Sequence, residues 1–347
     1  MKICLLSPLP PPAGGIATWT KIFLEHDLSN INDVYLVNTS AIGKRTYKDT
    51  KNIFSEIKRF SNIYKKLKKT LKDCDVMHIN VSCSKIGIIK DYLCIKKAYK
   101  KGVKTLVQFH CNIADQVVSN FQRKILKKII NITNKLVVIN NTSKKYLMDH
   151  YNVESILIPN FIKLNNEKNN HSYNDLKNIL FVGNVTETKG VNLIVQVAKK
   201  FKNLNFILVG KVCDDFDVTN ISSNVQIVGM VEKQEVFKYL QKSDVFLFPS
   251  YTEGFPLSIL EAMNAGLPCI TSKVGAIPDV FENGGAILID LTVDEIVYAI
   301  NSIYDKSIRK YMGQYNFENV LENYSSNVVI KKIYDEYFNL IKEDEHD

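Results

Sequence analysis

Two carboxylates, Glu253 and Glu261, stand eight positions apart shortly after an apolar run at 245–248. Pro256 between them is typical of the first turn of a helix, where a missing N–H costs nothing. Taken singly, Glu253 could favour the positive end of the helix dipole, worth about 0.3–1 kcal/mol, and Glu261 could be a solvated helix residue. Together they suggest a pair of acids that accept hydrogen bonds from the hydroxyl groups of a sugar.

The start of the same helix also offers backbone donors. The N–H groups around Phe255, Leu257 and Ser258 have no partner within a helix that begins there, and such groups favour an anion such as phosphate. Acidic side chains would repel phosphate itself, but they suit the hydroxyl groups of a sugar attached to it. The segment 249–268 therefore predicts a sugar-nucleotide site.

Two other turns between an apolar run and a helix carry candidate residues. In the segment 8–15, Gly14 and Gly15 let the backbone approach a phosphate closely, although a Pro/Gly cluster is most often only a turn. The segment is not a GxGxxG fingerprint, which disfavours a nicotinamide or flavin site. In the segment 181–190, Lys189 could neutralise a diphosphate leaving group, although taken alone a lysine at this place is more often a surface residue before a helix.

A histidine follows another apolar run, at 103–109. His110 at the carboxyl end of a strand is a candidate catalytic or binding group, and a structural histidine is the alternative.

These residues need a scaffold that places strand ends together, and the pattern of short apolar runs and amphipathic stretches supplies one. Such alternation predicts βαβ units and a mostly parallel sheet. Helices are predicted at 17–28, 53–71, 86–101, 121–133, 293–303, 307–321 and 327–342. Strands are predicted at 3–6, 34–37, 76–81, 103–109, 136–139, 156–158, 179–182, 206–209, 225–228, 245–248, 269–270 and 287–289.

The pattern restarts once, after an Asn-rich stretch at 163–177 that is poor in apolar residues and is interpreted as a linker. The expected architecture is two doubly wound α/β domains with ligands at the strand carboxyl ends, facing a central cleft. The predicted divisions are a domain at 1–165, a nucleotide-sugar-binding domain at 178–325, and a C-terminal helix and tail at 326–347 that packs back on the first domain.

Composition separates the two halves. The chain has 347 residues, enough for two domains with their own cores. Residues 1–170 hold 29 Lys and Arg against 12 Asp and Glu, whereas residues 171–347 hold 16 against 24. A basic half beside an acidic half indicates different partners for each. The 7 cysteines are scattered without a CxxC pair and the first apolar run is too short for a signal peptide, so we expect a cytosolic protein with reduced thiols.

The glycine turn at 14–15, the segment 181–190 and the acidic pair in 253–261, in this order, resemble family 4 of the retaining glycosyltransferases, which have the GT-B fold. Glu253 through Glu261 matches that family's E-x7-E signature, and the segments 274–279 and 284–288 match the two that follow it. Asn160 after a proline resembles the inter-domain Pro-Asn, and Gly14-Gly15 resembles the N-terminal glycine loop. The similarity covers nearly the whole chain.

The resemblance implies a role for each matching residue. Glu261 would hold the ribose hydroxyls, Glu253 the transferred sugar, and Lys189 the departing diphosphate with the N–H of Gly15. His110 would lie near the donor sugar. The implied catalytic residues are His110, Lys189 and Glu253. The implied donor-binding residues are Gly14, Gly15, Gly183, Asn184, Lys189, Glu253, Gly254, Phe255, Pro256, Leu257 and Glu261.

One position departs from the family pattern. The family usually has Arg five residues before the lysine, where this chain has Asn184. A neutral amide hydrogen-bonds a phosphate but brings neither charge nor a bidentate fork. Either Lys211 or another cation compensates, or turnover is slower.

The expected reaction uses a nucleotide diphosphate sugar as donor substrate, no cofactor and no metal. No Asp-x-Asp or clustered His/Asp/Glu set suggests a metal site, and Lys189 with backbone amides could stabilise the leaving charge instead. The family implies retention of anomeric configuration, with the acceptor hydroxyl attacking from the leaving-group side. We therefore name no nucleophilic carboxylate.

The basic first half suggests the acceptor. A stripe of apolar residues runs through 57–71 with Lys and Arg around it, which could rest on an anionic membrane surface, at about 1 kcal/mol per basic residue. The alternative is a helix packed on its own sheet with a solvated basic face. A polyprenyl-diphosphate-linked saccharide of a bacterial surface-glycan pathway is a reasonable acceptor, with the enzyme in the cytoplasm or peripheral on the membrane.

Two rival functions share some of these features. A sugar-nucleotide epimerase of the same architecture would need further acid/base carboxylates that the sequence does not place. A nucleic-acid-binding protein would explain the basic half, but the acidic second half argues against it, so we expect no nucleic-acid partner.

Overall fold

The computed structural model describes residues 1–11, 14–26, 33–40, 53–165, 171–219 and 221–342, with only the backbone for residues 53–54. The parts of the predictions that fall on 12–13, 27–28, 166–170 and 343–347 lie outside the described residues. The chain divides into two compact units. The first comprises Met1–Asn160 with Ser326–Asp347, and the second is Phe161–Ser325.

The first unit is built on a six-stranded sheet in the order β2-β1-β3-β4-β5-β6, with parallel pairing throughout. Every residue of its third strand is buried, including the polar residues His78 and Asn80, so this strand has no solvent-facing side. The strands are β1 (Lys2–Ser7), β2 (Asp33–Asn38), β3 (Val76–Val81), β4 (Lys104–Phe109), β5 (Lys135–Val138) and β6 (Ile156–Leu157).

Helices cover this sheet and begin where local hydrogen bonds allow. Ser119 and Gln122 form a capping box at the start of the fifth helix, and Asn140 caps the sixth. Asn152 ends the sixth helix in the left-handed conformation, which Asn tolerates well. The helices are α1 (Gly15–Glu25), α2 (Ile53–Thr70), α3 (Gly87–Tyr99), α4 (Ile113–Gln116), α5 (Asn120–Ile130) and α6 (Asn141–Tyr151).

The second unit has its own six-stranded parallel sheet in the order β12-β11-β10-β7-β8-β9. The strands are β7 (Asn178–Val182), β8 (Asn205–Val209), β9 (Val225–Gly229), β10 (Val245–Phe248), β11 (Cys269–Ser272) and β12 (Ala286–Ile289). The helices are α7 (Val191–Ala198), α8 (Lys233–Lys242), α9 (Leu257–Asn264), α10 (Ile277–Val280), α11 (Val293–Ser302) and α12 (Lys306–Asn323).

The last helix, α13 (Ser326–Lys342), belongs to the first unit. Its Tyr337 is fully buried and its hydroxyl hydrogen-bonds Nδ1 of His78 on β3, at 2.5 Å. Burial of the helix against this sheet agrees with its apolar residues at helical spacing.

The basic helix α2 packs on its own unit. Leu67 and Leu71 are buried in the core, and Phe60, Ile63 and Tyr64 lie partly buried against it. The interpretation of a helix packed on its own sheet is thereby confirmed for the second half of the stripe. Ile57, at the start of the stripe, does not pack in this way, because 61% of its surface is exposed.

Other details refine the predictions. The helix after β10 begins at Leu257, so Pro256 is its N-cap and not part of its first turn, because the chain is still extended at Pro256 (φ −75°, ψ 117°). All 7 cysteines are free thiols, and only Cys213 is not buried. Among the described residues no helix is long and apolar enough to span a membrane.

Candidate active site

The candidate site residues of the second unit lie where its strand order reverses. β7 neighbours β8 on one side and β10 on the other, so the loops that follow β7 and β10 diverge at this point. In doubly wound sheets, ligands bind at such a switch point, outside the strand carboxyl ends. Lys189 comes from the first of these loops and Glu253 from the second.

Lys189 and Glu253 form an ion pair between Nζ and Oε1. Only 25% of the lysine side chain and 10% of the glutamate side chain are exposed. The ammonium nitrogen also lies 5.6 Å from the ring centroid of Phe248, the last residue of β10. This partial burial strengthens the attraction between the two charges relative to a pair on the open surface.

Close backbone packing holds the two loops together. Tyr251 N donates to Thr188 O at 3.0 Å, and Ser250 Oγ donates to the same oxygen at 3.4 Å. Gly190 has φ +71°, and a Cβ on it would lie 1.9 Å from Pro249 O. Glycine is therefore required beside Lys189 both by conformation and by space.

The loop that follows β11 contacts the backbone of Glu253 and Gly254. Ala276 N donates to Gly254 O at 2.9 Å. Gly275 has φ +58°, and a Cβ there would lie 2.3 Å from Glu253 O. The sequence prediction did not assign Gly275 a part in the site, although it lies within a segment matched to the family pattern.

Glu261 lies on α9, with 16% of its side chain exposed. Its Oε1 is 3.2 Å from Nζ of Lys233, the first residue of α8, whose side chain is 49% exposed. No side chain caps the start of α9 within the described part of the unit, where Phe255 and Pro256 are buried and Leu257 is half-buried. Lys233 was not predicted, because it lies 28 positions before Glu261 and outside the motifs that contain the other site residues.

The loops after β7 and β8 run side by side. Gly183 N donates to Val209 O at 3.0 Å, and Val185 N donates to Lys211 O at 2.8 Å. Asn184 and Lys211 are both exposed. The structure thus places these two predicted residues on adjacent strand ends, while the N–H of Gly183 is engaged within the sheet.

In the first unit, Gly14 and Gly15 form the start of α1. Thr18 N donates to Gly14 O at 2.9 Å, and no side chain caps this helix among the described residues. A Cβ on either glycine would meet none of the described residues within 4 Å, which leaves room for a ligand to approach this backbone closely. Neither residue needs glycine for its conformation, since Gly14 is extended (φ 177°) and Gly15 is the first residue of the helix, without a positive φ.

His110 follows β4, and its N–H donates to Val81 O at 2.8 Å. Burial lowers the pKa of its imidazole to about 3, against a hydrogen bond with Asn160 that raises it. The ring is therefore neutral at physiological pH, with one donor and one acceptor nitrogen. Its Nε2 is buried without a hydrogen-bond partner among the described residues.

The predicted residues thus form two groups, one in each unit. Lys189, Glu253 and Glu261 lie in the second unit with the start of α9, and only the first two are in direct contact. Gly14, Gly15 and His110 lie in the first unit. Within the described ranges, no three His, Cys, Asp or Glu side chains form a group that could hold a metal ion.

Residues 163–319 match the family model described as Glycosyl transferases group 1. The chain is 24% identical over 320 residues to the O-antigen biosynthesis glycosyltransferase WclY of Escherichia coli, covering 83% of this chain and 85% of that protein. It is 25% identical over 326 residues to the UDP-Gal:alpha-D-GlcNAc-diphosphoundecaprenol alpha-1,3-galactosyltransferase of Escherichia coli, covering 84% and 81%.

Among solved structures, HepE of Anabaena in complex with UDP and glucose has a TM-score of 0.75 and 13% identity, covering 98% of this chain and 100% of that chain. The predicted GT-B fold, with its two Rossmann-like parallel sheets, is confirmed. The family-model match and these relatives identify the chain as a glycosyltransferase. The roles of individual site residues stay predictions.

Proposed function

We propose that this protein is a retaining, metal-independent glycosyltransferase that moves a hexose from a nucleotide diphosphate sugar to a lipid-linked saccharide. The product would enter a bacterial surface polysaccharide such as O-antigen or capsule. The observation that carries the proposal is the Lys189–Glu253 ion pair at the switch point of the second unit. Glu261 lies on α9 of the same unit, and no side chain caps the start of that helix among the described residues.

The donor nucleotide occupies the second unit. Glu261 accepts hydrogen bonds from the ribose hydroxyls, which replace its contact with Lys233. The start of α9 places backbone N–H groups and the positive end of the helix dipole toward the diphosphate. The transferred sugar then lies within reach of Glu253.

Lys189 stabilises the leaving group. As the glycosidic bond breaks, negative charge grows on the diphosphate, and a cation already held in place by Glu253 needs little reorganisation to meet it. Positive charge from Lys189 and backbone amides supplies what a divalent metal supplies in other transferases. No metal is therefore required by the proposal.

The first unit contributes His110 and Gly15. The neutral imidazole of His110 would accept or donate a hydrogen bond with a hydroxyl of the donor sugar through Nε2, which has no partner among the described residues. The acceptor hydroxyl attacks from the side of the departing diphosphate, whose oxygen takes the proton, so the anomeric configuration is retained without a carboxylate nucleophile.

UDP-sugars are the donors to test first. HepE was solved with UDP and glucose, and the galactosyltransferase relative uses UDP-Gal with a diphosphoundecaprenol acceptor. A lipid-diphosphate acceptor also suits the exposed lysines of α2, which would attract an anionic membrane surface. Replacing Lys65, Lys66, Lys68 and Lys69 by Gln should weaken binding to phosphatidylglycerol vesicles in a salt-dependent way. Unchanged vesicle binding would remove the membrane from the proposal.

A thermal-shift panel of UDP-, GDP- and ADP-sugars tests the donor site. A ligand at 100 times its Kd stabilises the folded protein by about 2.7 kcal/mol. The cognate donor should therefore raise the Tm of the wild type clearly and that of Glu261→Ala much less. Equal shifts in both proteins would contradict the ribose assignment, and no shift with any nucleotide sugar would contradict the proposed function.

A further inference from the structure

Trp19, the single tryptophan of the chain, contacts the rings of His78 and His110. It is fully buried on α1, with its ring centroid 5.3 Å from that of His110 and 5.4 Å from that of His78. Both contacts are edge-to-face, at 74° and 78°. Phe23, one turn further along α1, stacks on the indole at 5.0 Å, so its plane is fixed.

The orientation of the His110 ring matters because the ring is neutral. A neutral imidazole has one donor and one acceptor nitrogen, so a rotation of the ring exchanges what it presents to a ligand. Asn160 holds the ring by one hydrogen bond, and Nε2 has no partner among the described residues. The edge contact with Trp19 is the second restraint on the ring plane.

Trp19 is also tied to the glycine turn. The first backbone hydrogen bond of α1 runs from Thr18 N to Gly14 O, directly before Trp19. On the other side, Thr20 Oγ1 donates to Ile16 O at 2.8 Å and shares a hydrogen bond with Ser7 Oγ at the end of β1. These hydrogen bonds fix the position of Trp19 relative to Gly14 and to the end of β1.

We propose that Trp19 is a positioning residue for the transfer reaction: it fixes the ring of His110 and with it the nitrogen, Nε2, that has no partner among the described residues. The inference rests on the proposed function. Trp19 makes no contact with the substrate in this proposal, and its whole effect passes through His110.

The experiment compares Trp19→Leu, His110→Ala and the double variant by the rate of UDP release from whichever UDP-sugar stabilises the wild type. Trp19→Leu should lower kcat about 10-fold with little change in KM, and His110→Ala should lower it at least as much, within the usual range for a positioned polar group. The double variant should match His110→Ala within about twofold, because residues that act as one unit are not additive. Trp19→Phe, which keeps an aromatic edge, should recover part of the loss.

Tyr337→Leu, and not Phe23→Leu, is the matched control. Because Phe23 itself holds the indole, its loss should lower kcat as well, whereas Tyr337→Leu removes a fully buried ring that contacts His78 and, among the described residues, has no ring contact with Trp19 or His110. Tyr337→Leu should lower the Tm by a similar amount to Trp19→Leu and leave kcat within about threefold. Equal losses of kcat in Trp19→Leu and Tyr337→Leu, or additive losses in the double variant, would overturn the inference while leaving the proposed function standing. A folded wild type that neither binds nor turns over any nucleotide sugar would overturn both.

Discussion

The ammonium group of Lys189 contacts the carboxylate of Glu253 although 64 positions of sequence separate the two residues. The contact joins the loops that follow β7 and β10, the two strands at which the order of the second sheet reverses. Each charge restrains the other, so a cation and a hydrogen-bond acceptor are held at the strand ends before any ligand arrives. Such preorganisation is the main way in which proteins stabilise charge that develops during a reaction.

Lys189→Met should lower kcat for UDP release about 100- to 1000-fold, the usual cost of removing one group that stabilises developing charge. Lys189→Arg should recover only part of the rate, because a planar guanidinium cannot occupy the position of a compact ammonium. The measurement is steady-state turnover of the UDP-sugar that gives the largest thermal shift.

The control for this prediction is Lys200→Met in the same unit. Lys200 pairs with Asp294 at 3.0 Å on the open surface, with 51% of its side chain exposed. Its loss should change kcat by less than about twofold. Similar rates for the two methionine variants would show that the cation at position 189 has no part in the reaction.

Asn184→Arg should raise the affinity for the donor. The side chain is exposed at the end of β7, and a guanidinium there can form a bidentate contact with phosphate that an amide cannot. We expect a KM for the UDP-sugar lowered about 5- to 10-fold. If Lys211 compensates for the missing arginine, Lys211→Met should raise KM in the wild type and have a smaller effect in Asn184→Arg. An equal effect of Lys211→Met in both backgrounds would contradict the compensation.

Gly275→Ala tests the backbone support of Glu253. The residue has φ +58°, and the added Cβ would lie 2.3 Å from Glu253 O. Gly229 also has a positive φ, of +84°, but a Cβ there would meet nothing within 4 Å. Gly229→Ala should therefore cost only the left-handed conformation, about 1–2 kcal/mol. Gly275→Ala should lower the Tm clearly further and reduce kcat, and equal Tm values for the two variants would show that the loop at 275 yields without cost.

The sheets were largely predictable from sequence because their central strands are buried on both faces and are rich in apolar residues. The predicted strands at 76–81 and 245–248 have the bounds of β3 and β10. The start of α9 was predicted one residue early, since a proline suits either the N-cap or the first turn. Contacts across loops were not predictable: nothing in the spacing of Lys233 and Glu261, or of Trp19 and His110, indicates that these side chains meet. Such contacts depend on strand order, which sequence periodicity does not encode.

The stability of the first unit should fall as the pH decreases below about 6.5, in part because of His78. Burial lowers the pKa of His78 to about 3, so below its ordinary pKa the unfolded chain binds a proton that the folded chain does not. The folded state therefore loses stability as the pH falls from about 6.5 towards 3. From pH 7 to pH 5 this amounts to about 2 kcal/mol for one such histidine.

His110 contributes with the same sign, because burial also lowers its pKa to about 3. Asp91 contributes with the opposite sign, since burial raises its pKa to about 7. The effect of His78 is therefore measured by comparison with a variant. Between pH 7 and pH 5 the free energy of unfolding of His78→Gln should fall by about 2 kcal/mol less than that of the wild type. Urea unfolding followed by the fluorescence of Trp19 measures it, since the indole lies 5.4 Å from the His78 ring. Tyr337→Phe removes the hydroxyl bonded to Nδ1 but keeps the imidazole, so it should be less stable at both pH values and retain the pH dependence of the wild type. An unchanged pH dependence in His78→Gln would mean that His78 takes up its proton in the folded state as readily as in the unfolded chain.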